Sequence, residues 1–126
     1  MSLEPGLSGT VELVVTEADT AVAARSGSVP VLATPRVVAL IEEASCRAVE
    51  GHLEPGMTTV GMRVQLDHLQ PNLVGSSVTA EAWLERIEGR RLAFSCTVND
   101  ARGIVAAGKV VRVVVDAQRF LDKAAG

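Results

Sequence analysis

Residues 34–45, TPRVVALIEEAS, begin the one segment in which apolar residues recur at helical spacing, and the rest of the chain must pack around it. Thr34 is a good N-cap residue, and Pro35 suits the first helical position, where its missing N–H would be unpaired anyway. The periodic pattern predicts a helix to about His52, ended by Glu54-Pro55-Gly56. With about 100° of rotation per residue, Val37, Leu40, Ile41, Ala44 and Ala48 fall within about 60° of one direction. Arg36, Glu43, Arg47 and Glu50 share the solvent arc. Glu42 falls instead at about 140° from Val37, among Val38, Val49 and Cys46. A carboxylate on that flank is short of water and needs a partner, whether an arginine, a histidine or a water molecule.

Working outward, residues 10–16, TVELVVT, predict a short strand, and 17–33 a loop or partly helical connection broken by Gly27 and Pro30. After the helix, TTVGMRVQLDHLQ (58–70) alternates. Period two puts Val60, Met62, Val64, Leu66 and His68 on one face, and Thr59, Gly61, Arg63, Gln65 and Asp67 on the other. PNLVG makes a turn, SSVTAEAWLERIE (76–88) a strand, and Gly89-Arg90 a tight hairpin into RLAFSCTVN (91–99). DARG turns again into IVAAGKVVRVVVD (104–116), a strand too apolar to be half-exposed. The tail, AQRFLDKAAG, has helical tendency.

One strand, one helix and four antiparallel strands predict an α+β chain of the hotdog type: one long central helix wrapped by a curved antiparallel sheet of about five strands. A single domain over residues 1–126 is expected, with 1–8 and 121–126 as loose ends. The doubly apolar last strand and the lack of a second helical layer predict a homodimer, with a tetramer left open.

Composition removes several classes of function. Only Trp83, Phe94 and Phe120 are aromatic, the net charge is −3 and the basic residues are scattered, so no nucleic-acid footprint is expected. No apolar run reaches the roughly 20 residues of a membrane span. The N-terminus lacks the basic and apolar regions of a signal peptide. Cys46 and Cys96 form no C-x-x-C pair, which points to a reduced, cytoplasmic protein. With only His52 and His68, no histidine-rich metal site is expected.

Three more polar residues stand out. His68 is on the apolar face of its strand, where a core imidazole bonded to a carbonyl is the plain account. Thr34 is explained by capping. Arg112 interrupts the run from Val110 to Val115, where a charge requires a counter-ion. Each is ordinary alone, but together they place an acid, an imidazole, a hydroxyl and a cation in one small apolar domain.

Beyond these readings, LATPRVVALIEEASCRAV, TTVGMRVQLDHL and VTAEAWLERIEGRRLAF resemble the fluoroacetyl-CoA thioesterase-like family of bacterial hotdog proteins, over roughly residues 10–120. The family has a threonine at the helix start, a glutamate eight residues later and a histidine on the following strand. Thr34, Glu42 and His68 occupy those positions. The resemblance implies an acyl-CoA thioesterase acting on a small or medium acyl group, with Thr34, Glu42 and His68 catalytic. It also implies that Gly61 lines the acyl site, and that Arg112 meets a phosphate or the pantetheine end of coenzyme A. No metal or organic cofactor is implied. Residues 21–33 contain no aromatic, whereas the fluoroacetyl-specific member carries phenylalanines there as a lid. The alternative is a non-catalytic acyl-CoA or small-molecule binding module of the same fold.

Overall fold

The computed structural model describes residues 2–126. Strand β1 (Ser8–Val14) leads through a 3-10 turn and the short helix α1 (Ala21–Ala24) to the long helix α2 (Thr34–Ala48). Strands β2 (Met57–His68), β3 (Ser77–Glu88), β4 (Arg91–Asp100) and β5 (Gly103–Asp116) follow, and helix α3 (Ala117–Ala124) closes the chain. The five strands make one antiparallel sheet in the order β1-β3-β4-β5-β2. This is the hotdog architecture expected from the order of the elements.

The buried face of α2 is the one its rotation predicts, with Val37, Leu40, Ile41, Ala44 and Ala48 all in the core and Ser45 beside them. It packs chiefly on β1 and β3. Gly9 of β1 permits the approach, because a Cβ there would collide with the backbone of Ala44, Arg47 and Ala48. Phe94, Leu84 and Leu92 fill the space between helix and sheet. The Ser45 hydroxyl is satisfied by donating to the Ile41 carbonyl at 2.7 Å.

Several expectations are corrected. Helix α2 stops at Ala48, short of His52: the next turn tightens, and Gly51, at φ +79°, takes the left-handed conformation that ends it. The PNLVG segment does not join neighbours. It carries the chain across the sheet, since β2 is an edge strand next to β5 while β3 lies between β1 and β4. Near the N-terminus Gly6 and Leu7 exchange backbone bonds with Leu84, and Ala117–Ala124 form an exposed helix.

The alternation of β2 is also not strict. Its pairing with β5 slips between Gly61 and Arg63, leaving Met62 as an extra, bulged residue. Before the bulge, Thr59 and Gly61 face α2. After it, Val64, Leu66 and His68 do. Uninterrupted period two would have put Gly61 and His68 on opposite faces.

Candidate active site

Helix α2 lies beside β2 so that two polar clusters form along the seam. The first is at the helix start. Here Ala33, not Thr34, is the N-cap, and Thr34 makes no capping bond. Its Oγ1 lies 2.8 Å from Nδ1 of His68. Pro35 has no N–H, and the N–H groups of Arg36 and Val37 both donate to the Ala33 carbonyl. The Thr34 N–H is left as the one unbonded donor of the first turn among the described residues, at the positive end of the helix dipole.

His68 is held by a braced loop. Leu69 and Gln70 both donate to the Val105 carbonyl, and Leu32 donates to the Asn72 carbonyl. The Asn72 side chain donates to Asp100 at 2.8 Å. Arg102 grips Asp100 and the Pro71 carbonyl, and its guanidinium leads in holding the Asp100 carboxyl down to about 2. Burial pushes the His68 imidazole below its ordinary value, against a smaller upward pull from the Gln70 backbone. Its Nε2 is buried without a hydrogen bond of good geometry. Thr34 and His68 line an open cleft of about 280 Å³.

The second cluster lies two helical turns further on. Glu42 accepts from a terminal nitrogen of Arg112 at 2.9 Å. Arg112 points inward from β5, its side chain 9% exposed against 33% for Glu42. Its Nε donates to Thr59 Oγ1 at 2.9 Å, and its other terminal nitrogen to the Thr59 carbonyl at 3.0 Å. The flank carboxylate thus has the arginine partner its position requires. Gly61 makes room for it: a Cβ there would lie 2.5 Å from Glu42 Oε2. Thr59 was not singled out from the sequence. Its polar type on an inward strand position beside Gly61 was the available signal, hidden by a count that turned it outward.

Arg112, which the resemblance assigns to a phosphate or to the pantetheine end of coenzyme A, donates in this chain to Glu42 and Thr59. The acid and the imidazole do not meet within one chain. Thr34 and Glu42 are eight residues apart on one helix, about 12 Å along its axis, and the hydrogen bonds fall into two separate sets. Among the described residues, no group of three or more His, Cys, Asp or Glu side chains is arranged to hold a metal ion.

Comparison with known proteins gives this geometry a context. A family model described as fluoroacetyl-CoA-specific thioesterase matches residues 15–118. The fluoroacetyl-CoA thioesterase of Streptantibioticus cattleyicolor is 33% identical over 93 residues, which are 74% of this chain and 67% of that protein. The structure of the fluoroacetyl-CoA thioesterase FlK superposes with a TM-score of 0.92 at 28% identity, covering 98% of this chain and 96% of that one. A variant of FlK has been solved in complex with fluoroacetate and coenzyme A. A hot-dog-like protein from Thermanaerovibrio acidaminovorans gives a TM-score of 0.89 at 26% identity, covering 97% of this chain and 90% of that one. The long helix, the curled five-stranded sheet and the match over residues 15–118 agree: the chain belongs to the fluoroacetyl-CoA-specific thioesterase family.

Proposed function

We propose that this protein hydrolyses a small or medium acyl-CoA thioester to the free acid and coenzyme A. Membership of a thioesterase family supports the reaction class. The observation that carries the site is the 2.8 Å contact of Thr34 with His68, 34 positions apart in sequence, made by a hydroxyl that gives up helix capping to form it. In the proposed reaction the Thr34 N–H and the helix dipole hold the thioester oxygen as negative charge develops on it. His68 orients the attacking water or relays a proton to the departing thiolate as its C–S bond breaks. Glu42 supplies the carboxylate, as general base on water or as nucleophile. Arg112 positions Glu42, and Gly61 leaves the space in front of it.

The site is completed by a second copy. Strand β2 is a twelve-residue edge with one side unpaired, and Val60, Met62, Val64 and Leu66 stay partly or fully exposed on it. Antiparallel pairing of two such edges about a two-fold axis runs the His68 end of one copy towards the Gly61 end of the other. The two clusters of the seam then face each other across the interface. No described helix is long and apolar enough to cross a membrane, and the reduced pair Cys46 and Cys96 suits the cytoplasm.

Thiol release from a panel of acyl-CoAs tests the reaction. Wild type is expected to turn over at least one short acyl-CoA, with Glu42→Ala and His68→Ala each lowering kcat by about 10² to 10⁴. A wild type inert across the panel, or a fully active Glu42→Ala, sinks it.

A further inference from the structure

Arg112 is buried and hydrogen-bonded to Glu42 and Thr59, so the cations open to solvent lie elsewhere on the chain. The chain is acidic overall, with 12 Lys and Arg against 15 Asp and Glu. Six of its twelve cations are in ion pairs, and three of the other six stand around one groove. These are Arg90, Arg119 and Lys123, on a groove of about 690 Å³ that is larger than the cleft at Thr34 and His68. A net acidic chain that gathers unpaired cations at one concave place offers a site for an anion.

The walls of the groove are fixed. Arg90 is in the β3–β4 turn, where its carbonyl accepts from the Val114 N–H at 2.8 Å. The Ala117 N–H at the start of α3 donates to the Gly56 carbonyl at 3.0 Å. Asp116, the one carboxylate on the lining, caps α3 by accepting from the Arg119 N–H at 3.0 Å. Arg119 and Lys123 are four residues apart and share one face of α3. Phe120, one of three aromatic residues in the chain, is 42% exposed on the same lining. At its other end the groove reaches Gly61 and Met62, at the bulge of β2, and Gly61 adjoins Glu42.

Cations and a free aromatic surface at one end, and a side-chain-free opening beside the proposed carboxylate at the other, match a ligand with a phosphorylated, aromatic head and a thin arm. Resting on the thioesterase reading, we infer that this groove seats the nucleotide end of coenzyme A. Arg90, Arg119 and Lys123 meet its phosphates, the Phe120 ring meets the adenine, and the pantetheine arm leaves past Gly61 and Met62.

Calorimetric titration with coenzyme A and with pantetheine, which lacks the phosphates and the adenine, tests this. Wild type is expected to bind coenzyme A at least about tenfold more tightly than pantetheine, an advantage that shrinks with added salt. Arg119→Glu with Lys123→Glu abolishes both the advantage and its salt dependence, while Arg119→Lys with Lys123→Arg keeps them. Both pairs alter only exposed positions on α3, and unchanged thermal unfolding checks that they fold. Coenzyme A bound equally by wild type and the charge-reversed protein overturns the inference, as does a wild type with no preference over pantetheine. Thiol release from the acyl-CoA panel is followed in parallel on wild type. A protein inert there that still shows charge-dependent coenzyme A binding loses the catalytic reading and keeps the groove. The converse result loses the groove and keeps the catalysis.

Discussion

The two clusters along the α2–β2 seam handle their polar groups in opposite ways. At the helix start, an exposed hydroxyl meets a half-buried imidazole that has a ring nitrogen to spare. Two turns on, a carboxylate is tied to a buried guanidinium, and that guanidinium is tied in turn to Thr59. The first pair sets a hydroxyl against a ring nitrogen. The second holds a one-third exposed carboxylate in place. One end of the seam offers a hydroxyl and an imidazole, the other a positioned carboxylate, and the proposed hydrolysis uses both.

The largest effect expected from this division appears in mixtures. Glu42→Ala and His68→Ala proteins, each inactive alone, are co-refolded so that mixed dimers form. If each site takes its acid from one copy and its imidazole from the other, one of the two sites in a mixed dimer is intact. Activity then rises from background to about a quarter of wild type for random pairing in equal amounts. No recovery breaks the two-copy site and returns all three residues to one chain.

Stability sharpens the contrast. Arg112→Ala leaves a partly exposed carboxylate without its partner and is expected to cost about 2 kcal/mol, below the full penalty of a wholly buried pair. Thr59→Val removes one bond to the guanidinium and is expected to cost about 1 kcal/mol. Thr34→Val is expected to lower kcat while costing less stability than Thr59→Val, because the bond it removes, to His68, is exposed to solvent. Urea unfolding separates these outcomes.

The smallest effect is with pH. Burial holds His68 below the ordinary imidazole value of 6.5 and so favours its neutral ring. The acid limb of kcat/KM is expected below that value, and activity falls as pH drops through it. For stability, the unfolded ring takes up its proton before the folded ring does. The contribution of the neutral ring is complete above pH 6.5 and is lost as pH falls from there to the lowered folded value. Thermal unfolding of wild type and His68→Gln between pH 7.5 and 5 reads the difference, and parallel curves would remove it.

Much of this was legible in the sequence. Rotation about α2 separated Glu42 from Glu43, because an apolar stripe on a regular helix fixes the direction of every side chain. The order of elements indicated the fold. What stayed hidden was departure from regularity. A count of two cannot register one inserted residue, so β2 was assigned one polarity along its length. Gly61 in the strand interior was the only hint of a bulge. The role of Thr34 was hidden for a related reason. Capping explains a threonine before a proline so well that only the position of a distant histidine displaces it. The partner of Arg112 depends on which strand lies next to β5, and sheet order is not written in the spacing of strands.

The inserted residue in β2 also bears on redesign. Deleting Met62 would restore an even count and rotate one half of the strand by half a turn relative to the other. Either Thr59 and Gly61 or His68 would then leave the seam, whatever side chains were kept. Grafting the four chemical groups onto another scaffold of this shape would fail in the same way unless the phase slip were copied with them.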